Sequence, residues 1–539
     1  MLSMSNKGRR IALVGGVVAA ALALAGCAAG TSGSSSKAIV VGTTDKLTFL
    51  DPAGSFDNGS LTVQTQVFAT LMNSKPGTSD VLPDLASKAS FTSPTDYTVT
   101  MKKGLKFANG HKLTSSDVKF SFDRQLKIND PNGPSYLLAN LKGTDAPSAD
   151  TVVFHLKNPN DQVFPQVLST SAGAIVDEEV FSADKVTPDK EIVKGEAFDG
   201  QYKIDSYDFN NLITFKANPN YDGLLGAAKT SSVTLKTYTD ASNLKLDVQQ
   251  GNIDVAYRSL SATDTASLRA DKKKVKVVDG PGGEMRYIVF NFNTMPYGAT
   301  QPDANAAKAL AVRVAAADLI DRSEIASQVY KNTYTPLYSF VPDGLTGATT
   351  VLKDLYGDGK GGPDQAKAKK VLADAGVATP VVFKLQYNTD HYGESSTDEY
   401  ALVKSQLEAT GLFTVNLQST EYTQYSKDRS SDVYPEYQLG WFPDYSDADD
   451  YLTPFYGADS FLVNHYSNDA VIAEIQKQAT ESSAATRKTQ IEDIQAKVGA
   501  DLPILPLLQG KQAAVTGTDI SGTTLDGAFK FRFGTLSKG

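Results

Sequence analysis

With a single cysteine among 539 residues, the chain can close no disulfide within itself. Histidine is scarce as well. His111, His155, His391 and His465 lie far apart, without metal-ligand spacing, and read as structural or exposed. The largest basic run is Lys272-Lys273-Lys274, a solvated helix end or turn, and the formal net charge is −9. Together these argue against a nucleic-acid surface. There is no G-x-x-x-x-G-K-[ST] loop, so the chain has no ATPase site of its own, and neither G-x-S-x-G nor H-E-x-x-H occurs. Gly357 to Gly362 has the G-x-G-x-x-G spacing, but no strand leads into it and Pro363 follows, so it reads as a loop. No catalytic residue, metal or cofactor is expected.

What is present is ordinary for a globular protein: 41% hydrophobic and 21% charged residues, in a chain long enough for two or three domains. The N-terminus differs. Lys7, Arg9 and Arg10 precede an apolar run, Ile11 to Ala25, of about 15 residues, short for a membrane span. It ends at Leu24-Ala25-Gly26-Cys27, which resembles the lipobox of bacterial lipoproteins. That resemblance implies cleavage before Cys27 and diacylglycerol on its sulfur. Residues 1–26 are then a signal peptide and 27–37 a small-residue tether. No later apolar run is long enough to span a bilayer.

From residue 38 the chain alternates strand and helix patterns, which predicts α/β architecture. AIVVG, YTVTM, LKF, TVVFHL and ITFKAN read as strands. SLTVQTQVFATLMN reads as a helix capped by Ser60, and Thr114-Ser115-Ser116-Asp117 opens another through Arg124. Pro363 and Gly376 bracket a third. Pro83, Leu85 and Ala86, then Gly104-Leu105-Lys106-Phe107, Gly110, Leu113-Thr114, Asp117-Val118 and Phe120, make a long signature. It resembles that of the bacterial extracellular solute-binding proteins of the peptide/nickel class, family 5. YIVFNFN (287–293), AVRVAAADLIDRSEIASQVY (311–330) and DQAKAKKVLADAG (364–376) continue the match in order. The resemblance implies a two-lobed periplasmic-binding-protein clamp, type II-like, with an extra subdomain. Lobe one takes 38–74, 191–280 and 501–539, the extra subdomain 75–190, and lobe two 281–500. The lobes are joined near Gly280–Gly283 and near Leu502-Pro503.

The most informative stretch is GWFPDYSDADDYLTPFYG, Gly440 to Gly457. It follows the strand EYQLGW, and Pro443-Asp444 breaks any helix there. It holds the only tryptophan, Trp441, four aspartates and five other aromatics. Aromatic walls with a buried acid suit a cationic, partly apolar ligand; a solvated acidic turn with tucked aromatics is the alternative. The resemblance implies that Asp444, three residues after Trp441, binds a peptide's α-ammonium. Trp441, Tyr445 and Phe56 are expected to line the same site, while Asp447, Asp449 and Asp450 are expected to be caps or surface acids. The arginines that pair the peptide carboxylate in known members are missing. Gln438 stands at one position, and Thr389, Asp390 and His391 occupy the other.

The function implied is capture of a ligand, a peptide first, and its delivery to the permease and ATPase of an ABC importer, which are separate chains. The binder is expected to be a monomer, tethered through Cys27 to the outer face of the cell membrane, and no enzyme. An oligosaccharide, a nickel complex or haem remains open as ligand. An extracytoplasmic hydrolase or a ligand sensor is the alternative class.

Overall fold

The computed structural model describes residues 38–539, apart from Ser259, Asp390, Glu394, Asp459, Ala528 and Phe529. Cys27, the apolar run and the tether lie outside the described residues. Three sheets carry the architecture, which is mixed α/β. The largest has seven strands in the order Val275–Gly280, Gln512–Gly517, Val255–Tyr257, Ile39–Thr43, Ser232–Thr237, Leu212–Ala217 and Tyr202–Asp208. Ile39–Thr43 sits mid-sheet, parallel to both neighbours, and its Ile39 and Val41 are fully buried.

A six-stranded sheet is built around Met285–Phe290, which runs antiparallel to Glu436–Trp441 on one side and Ile504–Gly510 on the other. Every residue of Met285–Phe290 and of Ile504–Gly510 is buried. That is why these segments read as apolar runs rather than as alternating ones: both faces are covered. The third sheet has four antiparallel strands, Ala86–Ser93, Asp96–Met101, Thr151–Leu156 and Leu141–Ser148. Each large sheet has its own apolar core.

Several local expectations hold, and others shift for clear reasons. Thr114 caps the helix Ser115–Ile128: its hydroxyl accepts from Ser116 N, and Asp117 accepts from Thr114 N at 2.8 Å in return. This reciprocal box satisfies two otherwise orphaned donors. The helix expected to start at Ser60 spans Asn58–Val67, and its cap is Asp57, which accepts from Ser60 N. It stops at Val67 because buried Asp199 accepts from Ala69 N at 2.9 Å and holds the chain extended. LKF forms no strand; Lys106 makes only an isolated bridge to Lys112. Residues 311–330 form two helices, Ala306–Leu319 and Arg322–Gln328, because Asp321 caps the second by accepting from Glu324 N.

The chain passes from the seven-stranded to the six-stranded sheet between Gly280 and Met285. It returns at Gly510–Gln512 and not at Leu502-Pro503, because Ile504–Gly510 still pairs with Met285–Phe290. The two passages touch. Gly510 N donates to Glu284 O at 2.9 Å, and Gln512 Nε2 to Pro281 O at 3.0 Å. A Cβ on Gly282 would sit 1.6 Å from Gly510 O, so no larger residue fits this close approach.

One buried ion pair ties the helix Ser115–Ile128 to the loop after the first strand. Arg124 Nη1 donates to Asp51 Oδ1 at 2.9 Å, and Nη2 donates to Asp51 Oδ2. Ala53 N and Thr187 N also donate to that carboxylate, at 2.9 and 2.6 Å. Both side chains are buried. Removing one partner strands the other charge away from water, so Arg124→Met is expected to cost about 3–5 kcal/mol. The measurement is a lowered urea midpoint, and Asp51→Asn added to Arg124→Met should recover part of the loss. A midpoint unchanged in Arg124→Met would show that the pair carries no stability.

Candidate functional site

The strand Glu436–Trp441 delivers the aromatic-acidic run to the edge of the six-stranded sheet, and Pro443 then prevents the ladder from continuing. Asp447 caps a single turn, Ala448–Tyr451, accepting from Asp449 N at 2.8 Å, as a cap was expected to do. It is also paired bidentately with Arg487, at 2.8 and 2.6 Å.

Asp449 and Asp450 are not surface acids. Both are buried. Asp449 accepts from Thr453 Oγ1 at 2.8 Å, from Tyr445 Oη at 3.3 Å and from Gln478 Nε2. Burial pushes its carboxyl up to about 6. Asp450 Oδ2 accepts from Trp441 Nε1 at 3.3 Å and from Asp444 N at 2.9 Å. Burial, with the Asp444 charge adding to it, holds Asp450 well above the usual carboxylate range. These acids face inward because the turn they occupy packs its aromatics, Tyr451 and Phe455, into the core of the six-stranded sheet.

Asp444 is the member of the run that reaches open space. Its Oδ2 accepts from Tyr136 Oη at 2.8 Å. It takes part in no ion pair among the described residues. Burial raises it from 3.8 to about 6, against the lowering effect of the Tyr136 bond. Asp444 lines a solvent-open cavity of about 680 Å³, counted out to its mouth, together with Phe56, Gln64, Phe68, Asn73, Pro443 and Lys530. Phe56 packs edge-on to Tyr136 at 6.0 Å. Tyr136, from the short turn Pro134–Leu138, therefore meets the carboxylate that follows the strand Glu436–Trp441, and the loop residue Phe56 packs behind it.

Trp441 is half-buried. Its ring packs against Phe455 and Phe461, at 5.2 and 5.1 Å, and its indole N–H is taken by Asp450. Tyr445 does not line the cavity: it is buried and belongs to the apolar core of the four-stranded sheet. Gln438 is also buried. Its Oε1 accepts from Asn388 N at 2.9 Å and its Nε2 donates to Ser396 Oγ at 3.0 Å. It is fully used inside its own sheet and faces no ligand. Tyr136 and Lys530 were not anticipated. For Tyr136 the sequence holds no signal; for Lys530 the alternation FKFRF at 529–533 hints at basic side chains on one face.

A second cleft, between the two large sheets, is lined by Arg258, Glu284, Arg286, Tyr392 and Phe442 among others. Its two arginines are engaged: Arg258 pairs with Asp45 at 3.2 Å, and Arg286 with Glu399 at 2.6 Å, while Lys511, which also lines it, is exposed. Among the described residues only His111, Asp177 and Glu179 gather a histidine and acids within 4.8 Å. Asp177 there already accepts from His111, Asn109 and Glu179 N, so hydrogen bonds within the turn account for the group.

Residues 80–461 match the model of the bacterial extracellular solute-binding proteins, family 5. The chain belongs to this family. As a family 5 member it is an extracytoplasmic substrate-binding component of an ABC importer. No helix among the described residues is long and apolar enough to cross a membrane. It is 28% identical to the probable D,D-dipeptide-binding periplasmic protein DdpA of Escherichia coli over 265 residues, 48% of this chain and half the length of that relative. It is 24% identical to the dipeptide-binding protein DppE of Bacillus subtilis over 93% of this chain and 94% of that one. The structure of the substrate-binding protein CtaP of Listeria monocytogenes superposes with a TM-score of 0.78 at 22% identity, covering 94% of this chain and 99% of that one. This likeness shows the fold, the mixed α/β clamp of periplasmic solute-binding proteins. The relatives of this family 5 chain are named as binding proteins, not enzymes.

The electrostatics of the run set the pH response of the empty protein. A carboxyl raised in the folded state contributes stability at low pH that is lost as pH climbs from its unfolded value, 3.8, through about 6. Asp444→Asn removes that loss. The variant should therefore melt higher than the wild type near neutral pH, with the difference shrinking as the pH is lowered through this window. A variant that is less stable at neutral pH, or a pH-independent difference, would contradict the assignment.

Proposed function

We propose that this protein captures peptides extracytoplasmically through their free N-terminus and delivers them to a separate permease and ATPase. The observation that carries the reading is Asp444: a carboxylate turned into a cavity, held by a neutral hydroxyl, with no cation of its own. Such a group is costly until a cation arrives, and a peptide ammonium gives it a charge-assisted hydrogen bond. Phe56 supplies an apolar wall for the first side chain. Trp441 acts through Asp450, which also holds the Asp444 backbone. The dipeptide-binding relatives support a peptide over a sugar, a nickel complex or haem. Ligand capture between two lobes, 38–280 with 511–539 and 281–510, pivots at the paired passages near Gly282 and Gly510, and the peptide-filled, closed clamp is the form the permease accepts. The four-stranded sheet lies within the expected 75–190 subdomain of the first lobe, and the binder acts as a monomer.

Calorimetry with unblocked and N-acetylated peptides tests the ammonium site. Losing one partner of a buried charge pair costs about 2–5 kcal/mol, so Asp444→Asn should weaken unblocked peptides by roughly thirty- to several-thousand-fold. Acetylated peptides should bind both proteins equally weakly. Wild-type affinity should also fall as the pH drops through about 6, where Asp444 takes up its proton. Unchanged affinity in Asp444→Asn for every unblocked peptide would refute the reading.

Anchoring rests on the Leu24-Ala25-Gly26-Cys27 motif and the short tether after it. Two acyl chains hold a protein far better than one, at about 0.8 kcal/mol per buried methylene. Cys27→Ala should shift the protein from the membrane fraction to the medium or stall its processing, as read by fractionation. A processed variant that stays with the membrane would sink the lipoprotein assignment.

A further inference from the structure

Asp444 is not the only charge left without a counter-ion in its cavity. Lys530 lines the same space, near the C-terminal end of the chain. Its Nζ donates to Ser169 O at 2.6 Å, and its backbone N–H donates to Asp526 at 3.0 Å. It takes part in no ion pair among the described residues. An ammonium carries three donors, so the Ser169 carbonyl leaves two to be satisfied from the cavity. Nearby Arg532, buried and bonded to Ser74 O and Asn73 Oδ1, adds positive charge on that side, partly offset by the more weakly acting carboxylates of Asp526 and Asp84, neither of which forms an ion pair with Lys530. Burial, followed by Arg532, lowers the Lys530 ammonium to about 8, so it remains charged near neutral pH.

Lys530 and Asp444 carry opposite charges, face one cavity and do not pair with each other. Two desolvated charges of opposite sign would collapse into a salt bridge if they could reach one another. Held apart, they match a ligand that carries both complements at a fixed separation. The arginines of the second cleft offer no such vacancy, since Arg258 and Arg286 are already paired with Asp45 and Glu399, and its Lys511 is exposed to solvent rather than desolvated.

We propose that Lys530 is the anion-binding residue of this site, pairing a carboxylate of the ligand whose ammonium is held by Asp444. This deepens the peptide-binding reading and rests on it. It makes the ligand a zwitterion and makes Lys530 a specificity-determining residue for its carboxylate. The carboxylate could be the C-terminus of a short peptide or an acidic side chain of a longer one. The chemistry is the same, and peptide length separates the two.

The test uses the full mature protein and calorimetry with alanine peptides of increasing length. Each is offered as free acid, as C-terminal amide and as N-acetyl acid, alongside amidated peptides with one glutamate. A charged hydrogen bond in a partly dry site corresponds to about ten- to a hundredfold in affinity. The wild type should prefer free acid over amide by that factor at one short length, or the glutamate-bearing amide over its alanine counterpart if the side chain is the source. Lys530→Gln should abolish that preference while keeping the preference for a free over an acetylated N-terminus, and Lys530→Arg should retain both. If Lys530→Gln folds poorly, the wild type decides alone: equal affinity for acids, amides and glutamate peptides at every length overturns the proposal. So does a Lys530→Gln protein that still discriminates acid from amide as the wild type does. Carboxylate preference lost in Lys530→Gln, with no ammonium preference in the wild type, would overturn the Asp444 reading and the zwitterionic ligand with it, and uphold only the carboxylate role of Lys530.

Discussion

Asp450 Oδ2 accepts hydrogen bonds from the Trp441 indole and from the Asp444 backbone, and it does so from a position with no exposure to water. One buried carboxylate thus fixes a residue on either side of Pro443, Trp441 before it and Asp444 after it. The Asp444 side chain is left pointing into the cavity, and among the described residues Tyr136 alone is seen to hydrogen-bond its carboxylate. Removing a charge from water is expensive, and the protein accepts that cost at Asp450 and Asp449 to build a rigid mount. A mount of this kind matters for binding. A carboxylate already held in place loses little freedom when an ammonium arrives, and preorganisation strengthens binding without new contacts.

The fold serves this mount from both sides. The six-stranded sheet carries Trp441 and Asp444, with its central strands buried on both faces. Phe56, Gln64 and Tyr136 come from loops and helices that the Asp51–Arg124 ion pair helps hold together. The two bodies of secondary structure are joined by only two passages, at Gly282 and Gly510, which touch so closely that a side chain at Gly282 has no room. A narrow double connection permits rotation about one line more readily than translation. That is the motion a clamp needs to enclose a ligand.

Charge vacancy is the common feature of the cavity. Most of the buried ionisable groups around it are satisfied internally: Asp447 by Arg487, Asp449 by Thr453 and Gln478, Arg532 by Ser74 and Asn73. Asp444 and Lys530 stand out because each faces the cavity with a single neutral hydrogen-bond partner on its charged end. Gln438 shows the opposite logic. Where the family resemblance led to the expectation of an arginine, this chain has an amide whose oxygen accepts from Asn388 N and whose nitrogen donates to Ser396 Oγ.

By itself the sequence determined what local chemistry can specify. The capping box at Thr114, the strands at 39–43, 151–156 and 436–441, and the break at Pro443 are set by side chains within a few residues of one another. The long signature around Gly104 to Phe120 carried the family, and Pro443 marked the end of the strand Glu436–Trp441. Tertiary structure alone decided which acids of the run would be buried. It also decided that Tyr445 would turn into the core of another sheet, and that the return passage would fall at Gly510 rather than near Leu502-Pro503. Periodicity sees only neighbours in the chain. Tyr136 reaches Asp444 across 308 residues, and Lys530 enters the cavity from the far C-terminal end. No spacing rule reports such meetings, because sheet pairing and core packing, not chain distance, bring the groups together.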